Sequence, residues 1–354
     1  MKKIFQKLTK IVVPVVFAYL TVFCSAAYCD DAVVSAIIAE SSAIAQSKFS
    51  TVDLISDANN LLGGAGMENA MFAASESKGK FNPFFAANWT HSEMSPMGDV
   101  NIDSSNFVAG LAKRTSDRFL YGILFQAGRG RYKSTDTYSL PTGSCSITSQ
   151  GDTAYMGGGL FLRYDSPKRW YTQFAAAAGK VWGDFASDDM ITISGTNYAY
   201  DYDKGGYGLI NLTIGKISPV KNGELNTYFK FMEELGVSAA FVVNDYDLHV
   251  AGQDLTRLRA GFRYSTKKKN ALNGYFGLAY EYCFNSNKGI ILSSEVWADT
   301  EDFRVPDISG GSGMAELGVT YKKQNSPWRL DLGLQGFAGS QNSISATLTA
   351  VREF

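Results

Sequence analysis

The chain has 354 residues, and its 33 Lys and Arg against 34 Asp and Glu give a formal net charge of −1, which favours no nucleic acid and no acidic partner. A helical membrane protein needs spans of about 20 apolar residues, and the sequence beyond its N-terminus contains none. The length fits either a few soluble domains or one large β-barrel, in which alternating apolar and polar faces cancel in an average hydropathy of −0.09.

The N-terminus has the three parts of a secretory signal peptide. Basic residues precede an apolar core at 11–23, and small residues follow it, so that cleavage is predicted after Ala26 or Ala27. The core is too short for a comfortable membrane anchor. A lipoprotein site is not favoured either, because large aromatic residues precede both Cys24 and Cys29, where a small residue is required.

The next stretch predicts one helix and a linker. Apolar residues recur at helical spacing among Ala, Ser and Glu over 31–62, and Gly63 and Gly64 end the pattern. A polar linker at 75–80 follows, and the composition becomes strand-like at Phe81. The predicted organisation is therefore a signal peptide (1–27), a helical segment with linker (28–80) and a β-domain (81–354).

The β-domain shows period-two alternation in short runs separated by turn residues. In the run after Gln253, one parity is apolar and the other is basic. The last stretch, 343–354, alternates as well, and its apolar parity contains Ile344, Leu348 and Phe354, interrupted by a charge at Arg352. About twelve strands are predicted, although the parity is ambiguous in the runs that begin at Asn106, Trp170 and Leu225.

The connections between runs alternate in length. Those after even-numbered runs are short, at 115–116, 165–168, 218–223, 267–270 and 324–327. Those after odd-numbered runs are mostly long and polar, at 91–100, 134–151, 184–203, 240–252 and 285–311. Short turns at one rim, long loops at the other and aromatic residues beside the turns are typical of an outer-membrane barrel. The predicted fold class is all-β, an antiparallel transmembrane β-barrel of about twelve strands with the N-terminal helix in its lumen.

Three segments, 254–264, 310–321 and 328–339, together with the terminal strand, resemble the β-domain of autotransporters (type V secretion). The resemblance implies a monomeric twelve-stranded barrel in the bacterial outer membrane, with a helix threading the lumen. It also implies insertion into the lipid bilayer by the barrel-assembly machinery, which recognises the C-terminal strand, so Phe354, Leu348 and Ile344 are assigned to the assembly signal.

The implied activity is translocation or display of an N-terminal segment, without catalysis. Two features depart from the family. Arg352 stands where an aromatic or apolar residue is usual, and the space before Phe81 holds a helix and a short tail instead of a passenger of hundreds of residues. A stand-alone channel or adhesin with the helix as a plug is the alternative.

Six charged residues fall on the polar parity of neighbouring strands and are predicted to line the lumen: Arg257, Arg259, Arg263, Glu281, Glu316 and Asp331. Two interpretations are open. The charges either neutralise one another and pack against the helix, or act as a charge filter for a pore. The Asn59-Asn60 pair resembles the intrabarrel self-cleavage site of some autotransporters, but the dipeptide is common and we do not expect cleavage.

No enzyme, cofactor or metal site is predicted. The two histidines, His91 and His249, lie in predicted loops without the partners that a metal or a Ser-His-Asp triad needs. The acidic pairs at 188–189 and 201–203 lack the calcium-loop pattern of an EF-hand, and no GxSxG motif is present. A disulfide cannot be assigned among Cys29, Cys145 and Cys283, because the spacing selects no pair.

Overall fold

The fold is that of a computed structural model, which describes residues 51–64, 67–68, 79–94, 99–140, 143–191, 197–236, 239–243, 246–250, 254–266, 271–285, 290–292, 301–303, 309–323 and 326–352. The predicted signal peptide, its cleavage positions Ala26 and Ala27, and the terminal Phe354 lie outside this part of the chain.

Sixteen strands are present in the described residues. They are β1 (Phe81–Met94), β2 (Asp99–Arg114), β3 (Phe119–Leu140), β4 (Gly143–Asp165), β5 (Trp170–Ile191), β6 (Asn197–Val220), β7 (Gly223–Gly236), β8 (Ala239–Val243), β9 (Tyr246–Val250), β10 (Leu255–Thr266), β11 (Leu272–Asn285), β12 (Ile290–Leu292), β13 (Glu301–Phe303), β14 (Gly310–Lys322), β15 (Trp328–Gly339) and β16 (Asn342–Arg352). Four of them form two small hairpins, β8–β9 and β12–β13.

The other twelve strands form a closed antiparallel barrel in which β1 pairs with both β2 and β16. At this seam Phe84 lies opposite Gly110 on one side and Val351 on the other. Closure pairs each barrel strand with a neighbour on both sides, so the sheet has no open edge strand of the kind that a lipid environment forbids. The predicted fold class, including the number of barrel strands, is confirmed.

The two faces of the barrel wall have opposite chemistry because successive side chains of a strand point to opposite sides. On β11, Phe276, Leu278 and Tyr280 are more than half exposed on the outer face, whereas Glu281 and Tyr275 are buried on the inner face. A continuous outer belt of large apolar side chains is stable against lipid but costly against water. Strands β10 and β11, with 12 and 14 residues, are long enough to cross a bilayer when tilted.

The short connections lie at one end of the barrel, which we call the turn end, and the opposite end is the loop end. At the loop end the sequence interpretation was wrong in part, because the predicted loops 91–100, 134–151 and 184–203 are largely strand. The outer parity of β3 changes from apolar at Phe125 and Ala127 to charged at Arg129 and Arg131. Strands that rise beyond the apolar belt meet water outside, so they lose the alternation by which strands are recognised.

Residues 51–63 are helical, and this luminal helix is enclosed by the barrel. Its apolar residues Leu54 and Leu62 and its polar residues Ser56 and Asn59 are all at most 4% exposed. Burial on every side means that the polar side chains of the helix need partners on the wall. Within the described residues, no helix is both long enough and apolar enough to cross a membrane.

Candidate functional site

The luminal helix and the charged wall around it form the candidate site, and the helix has a definite direction. Leu54, near its start, packs close to Gly130 of β3, well above the turn end. Glu68, after the helix, contacts Arg263 near the turn end of β10. Gly79 then donates its backbone N–H to the Arg114 carbonyl at the turn end itself, with an N–O distance of 2.9 Å. The described segments therefore run down the lumen from the loop end to the turn end.

Arg257 of β10 is the principal contact of the upper half of the helix. Its guanidinium donates to the Ser56 carbonyl at 3.2 Å and to Asn60 Oδ1 at 3.3 Å. It also pairs with Glu234 of β7 and, at 3.4 Å, with Glu281 of β11. One side chain therefore joins the helix to three strands.

Asn60 receives a second guanidinium from the next inward residue of β10. Arg259 Nη2 lies 2.6 Å from Asn60 Oδ1, and Arg259 Nε donates to Glu281 at 2.8 Å. The helix contributes further bonds to the same wall, since Ser56 Oγ donates to Glu234 at 2.6 Å and the Asn59 amide donates to it at 3.4 Å.

The lower half of the site is centred on Glu68. This carboxylate lies 2.9 Å from Lys230 Nζ and 2.5 Å from Arg263 Nη1, and Arg263 in turn makes a two-pronged contact with Glu316 at 2.7 and 3.0 Å. Lys230 also donates to the Gly63 carbonyl at the end of the helix. A cation at a helix C-terminus satisfies carbonyls that have no partner within the helix.

These ion pairs are buried, so they stabilise the structure only if every charged group has its partners. Taking a charge out of water costs several kcal/mol, which only a close partner and further hydrogen bonds repay. Arg257, Arg263 and Glu68 each have at least two polar partners and are at most 5% exposed. Such a network holds one geometry firmly, because each group that loses its partner becomes an uncompensated charge in a low-dielectric space.

The opposite wall, formed by β1 and β2, holds the helix without cations in the described residues. Asp57 of the helix accepts a hydrogen bond of 2.5 Å from Ser104 of β2. Between the helix and β1, β15 and β16 a cavity of about 20 Å³ remains, which is on the order of one water molecule. The anchoring is thus asymmetric, ionic on one wall and hydroxyl-based on the other.

The six charges predicted to line the lumen are all buried on the inner face, at no more than 6% exposure. Arg257, Arg259 and Arg263 contact the helix or Glu68, and Glu281 and Glu316 pair with these arginines. Asp331 has different partners, because Tyr275 and Thr320 donate to it at 3.2 and 2.7 Å. Ile344 and Leu348 lie on the outer face of β16 with about half of their surface exposed.

Sequence reasoning missed Lys230 and Glu234, which complete the site from β7. The parity of this strand was ambiguous because Tyr228 and Met232 occupy the inner face while Phe229 lies on the outer one. The usable signal was the Lys230–Glu234 spacing, since residues four apart in a strand share a face.

In the part of the chain that the structure describes, no three His, Cys, Asp or Glu side chains are placed together to hold a metal ion. His91 lies in β1 and not in a loop, 2.9 Å from Asp103. His249 lies in β9, and Cys283 is a buried thiol.

Comparisons with solved structures identify the fold. The translocator domain of the autotransporter NalP from Neisseria meningitidis superposes with a TM-score of 0.62 at 10% identity, covering 87% of this chain and 98% of that one. The β-domain of the Bordetella autotransporter BrkA gives 0.57 at 13% identity, covering 77% and 99%. The transport unit of AIDA-I from Escherichia coli gives 0.53 at 12% identity, covering 82% and 98%.

At the level of sequence, no family model and no curated protein matches the chain. The resemblance to the autotransporter β-domain is therefore confirmed for the fold, which this chain shares with those translocator barrels.

Proposed function

We propose that the chain is an outer-membrane barrel that carries its own N-terminal segment across the membrane and retains the luminal helix afterwards. The observation that supports this most directly is the direction of the helix. Its N-terminal end faces the loop end, and the chain reaches the turn end at Gly79. In outer-membrane barrels the short turns face the periplasm, so whatever precedes the helix is directed to the cell surface.

The wall chemistry supports the same function. A segment that crosses a lumen needs a polar surface, and a segment that stays needs specific partners. The inner face provides both, because Arg257, Arg259 and Lys230 present donors to the backbone and amide groups of the helix. Assembly would depend on the barrel-assembly machinery acting on β16 and on the lipid bilayer around the apolar belt, with a single barrel as the working unit.

The experiment is an epitope tag placed after Ala32, downstream of the predicted signal cleavage, in cells that assemble the full chain. Antibody added to intact cells is expected to bind this tag. A tag between Lys221 and Asn222, in the tight β6–β7 turn, serves as the matched control and should be bound only after the outer membrane is permeabilised. Should the tag after Ala32 behave like the turn tag, the proposed translocation is wrong.

A channel with the helix as plug is the second candidate, and the filled lumen favours a closed state for it. The cavity beside the helix admits about one water molecule. Conduction through this part of the lumen therefore requires that the helix leave, and the conductance of a barrel without the helix tests this candidate.

A further inference from the structure

Asp53 is a buried carboxylate that forms no ion pair within the described residues. Its side chain is 1% exposed, neither carboxylate oxygen has a close hydrogen-bond partner among the described groups, and the Ser92 hydroxyl of β1 is the polar group that faces it. Three other buried acids differ in this respect, because Glu68 of the luminal segment and Glu234 and Glu281 of the wall each pair with Lys or Arg. The negative charge of Asp53 must therefore be neutralised by something other than a Lys or Arg side chain.

A second acid lies beside it on the helix, and three hydroxyls of β1 and β2 face these two carboxylates. Asp57 lies four residues later and so occupies the same face of the helix. It is 2% exposed, accepts the hydrogen bond from Ser104 and faces Thr90. Ser92 of β1 is fully buried, and its hydroxyl is the polar group that faces the Asp53 carboxylate.

The two carboxylates form no ion pair within the described residues. The guanidinium of Arg257, which acts electrostatically on both, is already paired with Glu234 and Glu281. Two buried negative charges without a countercharge are strongly unfavourable. A cation among them removes this cost, and carboxylate and hydroxyl oxygens are the donors that hard divalent ions take.

We propose that Asp53 and Asp57, with the hydroxyls of Thr90, Ser92 and Ser104, bind a Ca²⁺ ion that fastens the upper half of the luminal helix to β1 and β2. Calcium fits better than magnesium because it tolerates an irregular set of oxygens and completes its shell with water, whereas Mg²⁺ demands a near-ideal octahedron. The site supplies the wall opposite Arg257 with the ionic contact that it otherwise lacks.

The site lies towards the loop end, since Ser92 is near the end of β1 and Ser104 lies in the half of β2 that is nearer to that end. A cation there exchanges with the solution at the loop end. The inference requires the helix to be in the lumen but is independent of how it arrived there. It therefore stands or falls separately from translocation.

The test is calorimetric titration of the assembled full-length barrel, purified in detergent and stripped with EDTA, with CaCl₂ and separately with MgCl₂. We expect one Ca²⁺ per barrel and weaker binding of Mg²⁺. Asp53→Asn should lower the Ca²⁺ affinity at least tenfold. The control is Asp103→Asn. This change removes an exposed, outward-pointing carboxylate next to Ser104 in the sequence, and the variant should bind Ca²⁺ as the wild type does.

Absence of saturable Ca²⁺ binding by the wild type at millimolar concentrations would overturn the proposal and would indicate that protons neutralise the pair. Unchanged stoichiometry and affinity in Asp53→Asn would overturn it as well. Should Asp53→Asn fail to assemble into a barrel, Ser92→Ala takes its place, and this variant is expected to weaken binding several-fold while leaving both carboxylates intact.

Discussion

Arg263 of β10 and Glu68 of the segment after the helix are joined by a buried ion pair, with 2.5 Å between Nη1 and Oε2 and side-chain exposures of 5% and 1%. The two residues are 195 positions apart in the chain. The contact therefore fixes the lower end of the luminal segment to the wall. It is shared, because Glu316 holds the other edge of the same guanidinium and Lys230 holds Glu68.

Removing Arg263 should destabilise the assembled barrel more than any surface charge does. Arg263→Ala leaves Glu316 without its cation and Glu68 with one of its two, and breaking a buried pair in this way costs about 3–5 kcal/mol. In a double-mutant cycle with Glu68→Gln, the two losses should be non-additive by about 1–3 kcal/mol because the residues are in contact. Denaturant unfolding in detergent measures both quantities.

The matched control is Arg129→Ala, which breaks the contact with Asp152 on the outer surface, where Arg129 is 66% exposed. Exposed pairs contribute about 0–1 kcal/mol. If Arg263→Ala proves no more costly than this control, the luminal network does not hold the barrel and helix together as the contacts indicate.

The inward direction of Arg257, Arg259 and Arg263 was predictable, because strand parity is a local property and one apolar parity identifies the lipid face. The partners of these residues were not. Which helix residue meets which arginine depends on the rotation and depth of the helix in the lumen, and sequence periodicity fixes neither. The same limit explains why Asn60 appeared only as part of a common dipeptide and not as the acceptor for two guanidinium groups.

The loop-end boundaries of the strands were predicted wrongly for a related reason. The part of β3 beyond Ala127 carries Arg129, Arg131 and Lys133 on its outer face, so no apolar parity remains to identify it. Its pairing with β4 continues up to Leu140 and Gly143 through backbone bonds that any sequence without proline can make. The alternation of apolar and polar residues therefore identifies only the part of each strand that lies within the apolar belt, and not the full length of the strand.

The apolar belt predicts a depth-dependent cost for an introduced charge. Leu334 and Leu330 share the outer face of β15, the former near the middle of the strand and the latter two residues from its turn end, and they are 46% and 42% exposed. Leu334→Arg should cost about 2–4 kcal/mol and Leu330→Arg about 0–1 kcal/mol, because the charge near the rim reaches water.

Reversible unfolding in lipid vesicles measures this pair of variants, each of which adds the same side chain to the same strand. Equal costs for the two substitutions would contradict a bilayer around this face. A soluble barrel, by contrast, would tolerate both.

Removing the helix should open the lumen. Deletion of residues 31–66 takes away the luminal helix together with Asp53 and Asp57, and it is expected to raise single-channel conductance in planar bilayers well above that of the full chain. Deletion of 31–50 alone leaves the helical residues 51–63 in place and serves as the control, with conductance as low as that of the full chain. Equal conductance in both deletions would show that the helix is not the plug.

Two changes at the end of the closing strand β16 should affect assembly of the barrel to different extents. Its outer face carries Ile344 and Leu348, each about half exposed, and ends with Arg352, whose guanidinium lies 5.8 Å from the centre of the Trp328 ring. A cation over an aromatic ring at a membrane rim is stabilised by the ring and by nearby water. The charge at Arg352 is therefore compatible with the strand, and Arg352→Leu should change the amount of assembled barrel less than twofold.

Deletion of Phe354 should instead reduce the assembled, heat-modifiable band in outer-membrane fractions severalfold, because the resemblance assigns the recognition of the C-terminal strand to this residue. The two variants alter positions two residues apart at the C-terminus, so their comparison separates loss of a recognition signal from loss of strand stability. Normal insertion of the chain without Phe354 would show that the assembly machinery reads another feature of β16, for which the outward-facing Ile344 and Leu348 are the next residues to substitute.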